Sequence, residues 1–107
     1  VKSDFMAKKD EQTQEELEIA RIRIPKEGEV LGRVEMMLGG DKLRVVCEDG
    51  NVRICRIPGK LRKKIWILVG DLVLVQPWKV QSNERGDIIF KYTPTQEGWL
   101  KRKGFIK

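Results

Sequence analysis

A β-hairpin is the strongest constraint that this sequence places on its fold. Residues 42–48 and 51–57 both alternate apolar with polar side chains, and Asp49-Gly50 lies between them. Such alternation predicts half-buried strands, and an Asp-Gly pair between two alternating runs is a strong hairpin signal. The chain is therefore expected to build a sheet around this hairpin.

The register of the hairpin decides which side chains face the core. A two-residue turn pairs Glu48 with Asn51. The apolar face then contains Leu43, Val45, Cys47, Val52 and Ile54. The opposite face carries Arg44, Arg53 and Cys55. The two cysteines are therefore predicted to lie on opposite faces and to remain free thiols, because a one-residue offset separates the faces.

Three further strands flank the hairpin. Residues 29–37 alternate before it, with Gly32 inside the run, and glycine within a strand often marks a sharp bend. Residues 72–76 are nearly all apolar, and Pro77 must end that strand or place it at an edge. Residues 88–92 form the last predicted strand.

A short C-terminal helix is predicted after the last strand. Thr93 can cap it, Pro94 suits its first position, and Gln96 completes a capping box. Gly104 suits the C-terminal cap. The residues expected to pin this helix to the sheet are Trp99 or Leu100, with Phe105 and Ile106, and a core role is favoured for Trp99.

A basic segment separates the hairpin from the fourth strand. Residues 57–67 read IPGKLRKKIWI, and no acidic residue lies among the five cations between Arg56 and Lys64. Helical spacing after Pro58-Gly59 would place Leu61, Ile65 and Leu68 on one apolar stripe. Trp66 would then lie on the basic face, where cations can neutralise phosphates and the indole can stack on a base. The alternative is a solvated helix face with a core tryptophan.

Composition favours a polyanionic partner and argues against catalysis. The net charge is +6 and the pI about 9.5. The chain has no histidine and two cysteines, so we expect no metal site, no cofactor and no enzymatic activity. The longest apolar run, residues 65–69, is too short to span a membrane, and a cytoplasmic protein is expected.

Three segments of different behaviour are expected along the chain. Residues 1–21 are predicted to form a flexible tail, and residues 1–5, which precede Met6, are interpreted as a cloning remnant or an upstream start. Residues 22–92 are predicted to fold as an RNA-binding domain, and residues 93–107 as a helix packed on it.

The order of the elements predicts an all-β architecture, the OB-fold. Three strands, a short helix and two more strands match this five-stranded Greek-key barrel, whose second and third strands commonly bind oligonucleotides. Arg33, Arg44 and Arg53 could form a basic stripe on that face, or could simply solvate the sheet.

The sequence also resembles a known family. Residues 28–67, GEVLGRVEMMLGGDKLRVVCEDGNVRICRIPGKLRKKIWI, are similar to archaeal and eukaryotic translation initiation factor 1A, related to the shorter bacterial initiation factor 1. The specific motifs are Met37-Leu38-Gly39, Glu48-Asp49-Gly50 and the run from Gly59 to Lys64. Residues 93–105, TPTQEGWLKRKGF, resemble the archaeal branch.

The resemblance implies an OB-fold monomer that binds the decoding (A) site of the small ribosomal subunit. Such a factor promotes initiator-tRNA and mRNA placement in the P site and assists subunit joining with the initiation GTPase. The positions implied to contact ribosomal RNA are Lys60, Arg62, Lys63, Lys64 and Trp66, with Arg44, Arg53 and Lys91 as weaker matches. The long acidic C-terminal tail of the eukaryotic factor has no counterpart in these residues, so the resemblance leaves the GTPase contact open.

The competing function is general RNA binding, as in an RNA chaperone of the cold-shock type. Such proteins expose aromatic clusters on the second and third strands, and residues 42–57 contain no Phe, Tyr or Trp. A protein-interaction module is the other alternative, which basic charge alone does not exclude.

Overall fold

The computed structural model describes residues 20–106 as a five-stranded barrel with two helical additions. The predicted tail therefore lies almost entirely outside the described residues. The strands are β1 (Val30–Gly39), β2 (Lys42–Cys47), β3 (Val52–Arg56), β4 (Leu72–Pro77) and β5 (Arg85–Lys91). Helix α1 (Gly59–Arg62) joins β3 to β4, and helix α2 (Pro94–Arg102) follows β5. Within residues 20–106, no helix is long and apolar enough to cross a membrane.

The barrel closes in the strand order β1-β2-β3-β5-β4, with β4 paired back to β1. Only the β3–β5 pairing is parallel among these strands. A five-stranded closed barrel with a helix between the third and fourth strands confirms the predicted OB-fold.

Gly32 lies where β1 pairs with both of its neighbouring strands, β2 and β4. It pairs with Cys47 of β2 and with Val73 of β4. A Cβ atom at this position would lie 2.4 Å from Val45 Cγ1 and 3.2 Å from the Val46 carbonyl oxygen. The glycine is therefore needed because the neighbouring strand approaches too closely for any side chain.

Two apolar clusters explain why β4 is apolar on both faces. Val73 and Val75 point into the barrel, whereas Leu72 and Leu74 point outward beneath α2. The outer cluster contains Leu31, Leu72, Leu74, Tyr92, Leu100 and Ile106. A strand buried on both faces reads as a continuous apolar run.

The predicted hairpin exists, but its predicted register is wrong by one residue. Val46 pairs with Val52 and Val45 with Arg53, which leaves a three-residue loop, 48–50, with Gly50 at φ +90°. Asp-Gly suits this loop as well, because glycine takes the left-handed position that ends it. The slip moves every β3 side chain to the other face. Cys55 therefore enters the core beside Cys47, contrary to the prediction, and both remain free thiols as expected.

Helix α2 forms as its capping signals predicted. Thr93 Oγ1 accepts from the Gln96 amide at 3.2 Å, and Gln96 Oε1 accepts from the Thr93 amide at 2.9 Å. Leu100 is fully buried and Ile106 nearly so, which pins the helix to the barrel. Trp99 is only partly buried, so its favoured core role is only partly right, and its ring stacks on the half-exposed Phe105.

The segment before β1 docks on the same outer cluster. Ile22 packs against that cluster, and the Tyr92 hydroxyl donates to the Arg23 carbonyl. Arg23 also pairs with Glu29 at 3.1 Å. The pKa of Tyr92 is raised by burial, so the phenol stays protonated and keeps donating.

Candidate RNA interface

The basic segment begins as a single helical turn. The amides of Leu61 and Arg62 both donate to the Pro58 carbonyl at 3.0 Å, and the Ile65 amide donates to the Leu61 carbonyl at the same distance. The helix ends at Arg62, with Lys63 as its C-cap. The chain then runs without regular secondary structure to β4, and we call residues 63–71 the Trp66 loop.

The predicted helical stripe is wrong beyond Ile65. Leu68 is 55% exposed, and the buried anchor is Ile67. Ile65 and Ile67 pack against the barrel core while Trp66 between them points away, which is the period-two pattern of extended chain. Trp66 is 77% exposed. The core alternative for Trp66 is therefore excluded, although the reason for its exposure is an extended loop and not a helix face.

Four cations surround the start of this loop. Lys60, Arg62, Lys63 and Lys64 are all exposed, and the ion pairs among residues 20–106 include none of them. With Gly59 they line a concavity of about 410 Å³. Lys60 and Lys64 also border a neighbouring groove of about 250 Å³. Within the described part of the chain these positive charges have no carboxylate partner, and they are available to a polyanion.

The arginines predicted to form a stripe on the sheet are each paired with a carboxylate. Arg33 makes a bidentate pair with Glu97 of α2, with both N–O distances 2.8 Å. Arg44 is half-exposed and lies 3.6 Å from Glu35. The stripe is therefore not formed, and Arg44 is its most loosely paired member.

Arg53 was predicted to lie at the interface, but the structure buries its side chain. It is only 2% exposed because the register slip turns it inward. Its guanidinium donates to both carboxylate oxygens of Asp49, at 3.0 and 2.8 Å, and to the Ser82 carbonyl at 2.6 Å. The bonds to Asp49 raise the pKa of Arg53 and lower that of Asp49. Arg53 therefore ties the hairpin loop to the β4–β5 loop.

Lys91, which the resemblance implied as a weaker contact to ribosomal RNA, lies beside the Trp66 loop with its ammonium group engaged. It donates to the Trp66 carbonyl and lies 3.2 Å from Asp71 Oδ2. The same carboxylate oxygen accepts the Leu68 amide at 2.8 Å. Asp71 is not among the site residues predicted from the sequence, and no sequence motif marks it as one.

The arrangement can bind nucleic acid, and the described residues offer neither a cluster of metal ligands nor an activated thiol. Free cations neutralise phosphates, and an exposed indole offers a face to a base. Among residues 20–106, no three His, Cys, Asp or Glu side chains cluster as metal ligands. Burial raises the pKa of Cys47 and raises that of Cys55 to about 12, so neither thiol is an activated nucleophile.

Comparison with known proteins identifies the family. Residues 14–107 match the family model for translation initiation factor 1A and its bacterial counterpart, initiation factor 1. The chain belongs to this family. It therefore has a role in translation initiation, is an RNA-binding protein and is not an enzyme.

The relatives place the chain near the archaeal members. Translation initiation factor 1A of Methanothermobacter thermautotrophicus is 52% identical over 90 residues, covering 84% of this chain and 91% of the relative. The Pyrococcus abyssi factor of the same name is 56% identical over 89 residues, covering 83% and 79%. The solution structure of translation initiation factor 1 from the Wolbachia endosymbiont of Brugia malayi is 34% identical, with a TM-score of 0.50, covering 64% of this chain and 82% of that one.

Proposed function

We propose that this protein binds the decoding (A) site of the small ribosomal subunit through ribosomal RNA. From there it promotes placement of initiator tRNA and mRNA in the P site and assists subunit joining with the initiation GTPase. The observation that carries the proposal is the 77% exposed Trp66 beside four cations that pair with no carboxylate among residues 20–106. Membership of the initiation factor family supplies the ribosomal context.

The proposed interface divides into two kinds of contact. Lys60, Arg62, Lys63 and Lys64 neutralise backbone phosphates, and Trp66 stacks on a base. Leu68 and Val69, two and three residues after Trp66, are also exposed. Large exposed apolar residues next to cations are a common property of macromolecular binding surfaces.

The weaker matches receive different roles in this proposal. Arg44 is a peripheral cation, because it is half-exposed and only loosely paired with Glu35. Arg53 shapes the hairpin loop without touching phosphate, because it is buried and bound to Asp49.

The test measures affinity for isolated small subunits as a function of salt. With four phosphate contacts, the logarithm of the affinity should fall with the logarithm of salt at a slope of about −3 to −4. The triple change Lys60→Ala, Lys63→Ala and Lys64→Ala should flatten that slope by about two to three units. A matched control removes three charges from the end of α2, by Lys101→Ala, Arg102→Ala and Lys103→Ala.

Two outcomes would contradict the proposal. Equal flattening in both triple variants would mean that net charge, and not this surface, drives binding. Equal affinity for naked RNA and for small subunits would favour the RNA chaperone, although β2 and β3 carry no aromatic side chain for that function.

A further inference from the structure

Two side chains outside the basic segment hold the backbone of the Trp66 loop. Lys91, the last residue of β5, donates its Nζ to the Trp66 carbonyl and lies 3.2 Å from Asp71 Oδ2. That oxygen also accepts the Leu68 amide at 2.8 Å. One lysine and one aspartate therefore fix polar backbone groups on both sides of Ile67.

Asp71 is itself tied to the barrel. Its carbonyl accepts the Val34 amide at 3.0 Å, and the Gly70 amide donates to the Val34 carbonyl at 2.8 Å. Arg33 Nη1 donates to the Gly70 carbonyl at 3.0 Å. The carboxylate thus projects from backbone that is bonded to β1, and it provides a rigid point of attachment for the loop.

The loop needs such an attachment because the indole has little packing of its own. Trp66, Leu68 and Val69 are all more than half exposed, so only Ile65 and Ile67 hold the loop by burial. Ordering an exposed segment costs conformational entropy, and a segment already held in its binding conformation avoids that cost at the moment of binding.

We propose that Asp71 and Lys91 are positioning residues that present Trp66 to RNA, and that Lys91 acts through the loop instead of binding phosphate. The inference rests on the proposed function, because it assigns the machinery that orients the stacking side chain. Both side chains are about three-quarters buried, and the ammonium charge is already matched by the carboxylate. Each observation fits a structural clasp better than a phosphate ligand.

Asp71→Ala separates the two roles of Lys91, because they predict opposite signs. If Lys91 bound phosphate, removing the neighbouring carboxylate would free its charge, and small-subunit binding would be unchanged or tighter. If the clasp positions Trp66, the same change releases the loop and weakens binding although the protein becomes more positive. A loop that presents Trp66 only a tenth to a third of the time would raise the apparent Kd about three- to tenfold.

A double-mutant cycle with Trp66→Ala shows whether the effect passes through the indole. Trp66→Ala alone should weaken binding by about 5- to 150-fold if one stacked base is lost. Asp71→Ala and Lys91→Met should then have little further effect in the Trp66→Ala background. A general loss of folding would weaken binding in both backgrounds and would lower the thermal unfolding temperature.

The salt dependence supplies an independent readout. Lys91→Met should leave the slope unchanged, whereas loss of a phosphate ligand would flatten it by about 0.7–0.9 units. Glu84→Ala is the matched control, because it removes one exposed carboxylate from the β4–β5 loop, away from the Trp66 loop. Asp71→Asn provides a milder variant, and its effect on binding should have the same sign as that of Asp71→Ala.

The proposal is supported if Asp71→Ala and Lys91→Met weaken binding to a similar extent, couple to Trp66 and preserve the slope. It is overturned if Asp71→Ala binds as tightly as the unmodified protein, or if Lys91→Met acts additively with Trp66→Ala and flattens the slope. Either result leaves the effect of Trp66→Ala in place, so the proposed function would survive. No effect of Trp66→Ala itself would overturn the positioning proposal and remove the stacking contact, while the salt dependence of the triple lysine variant would still test the proposed function.

Discussion

Replacement of Trp66 by alanine should barely affect folding, even though tryptophan is usually a major source of core stability. Trp66 keeps 77% of its surface exposed, so only about a quarter of the ~250 Å² that a tryptophan can bury is removed from water. At about 25 cal/mol per Å², the side chain contributes at most about 1.5 kcal/mol to the free energy of unfolding. The loop keeps its anchors, because Ile65 and Ile67 are unchanged.

The assay is urea unfolding of Trp66→Ala and of Leu100→Ala under the same conditions. Leu100 is fully buried between α2 and the barrel, so its truncation should cost about 2–5 kcal/mol. Trp66→Phe should be close to neutral. A loss of about 3 kcal/mol or more in Trp66→Ala would refute the reasoning, because a loss of that size is typical of a packed aromatic side chain that is not available to a base.

Three further predictions concern backbone, pH and thiols. Gly32→Ala should destabilise the barrel by about 1–3 kcal/mol or more, since the new Cβ meets Val45 and the Val46 carbonyl. The control is Gly59→Ala, which should be neutral or stabilising because a Cβ at Gly59 would lie in open space. Hydrogen bonds from Arg33 and Arg53 lower the pKa values of Glu97 and Asp49, so these carboxylates stabilise the fold above their unfolded pKa values of about 4.3 and 3.9. That contribution is lost as the pH falls through the lowered pKa values of the folded state. Glu97→Gln should therefore make the free energy of unfolding, measured with urea, depend less on pH in the acidic range. Native protein at neutral pH should react slowly with a thiol reagent, because Cys47 and Cys55 are buried. Denatured, non-reduced protein should show two thiols. Rapid labelling of the native protein would contradict the burial of these cysteines.

The sequence predicts the elements of the fold well because its signals are local. Thr93, Pro94 and Gln96 specify the start of α2 through contacts within four residues, and the structure contains those contacts. The apolar run of β4 and the Asp49-Gly50 turn are equally local. Their order along the chain is sufficient to predict the barrel.

The hairpin register was not predictable from the same local signals. Asp-Gly fits both a two-residue and a three-residue loop. The apolar pattern favours the first, because it buries Val52 and Ile54 and exposes Arg53. The second is adopted in the structure, where buried Arg53 finds Asp49 and the Ser82 carbonyl. Ser82 lies 29 residues from Arg53 along the chain, so the sequence of the hairpin alone does not reveal this contact.

The candidate interface was predicted in composition but not in geometry. The cluster of cations is visible in the sequence between Arg56 and Ile67, whereas the exposure of Trp66 was predicted from a helical spacing that the structure does not contain. The helix that was expected to carry Trp66 ends at Arg62, and the loop that carries it is hydrogen-bonded to Lys91, 25 residues away. Asp71, at the end of the Trp66 loop, and Lys91, in β5, resemble ordinary turn and strand residues in the sequence, and only the fold brings Lys91 to the loop.

Chemical probing of ribosomal RNA in small subunits, with and without the protein, tests the central claim most directly. The account predicts protection of decoding-site nucleotides, with the triple lysine variant losing backbone protection and Trp66→Ala losing protection of one base while the remaining footprint stays. Protection confined to RNA outside the decoding site, or a footprint that is identical for the unmodified protein and both variants, would contradict it.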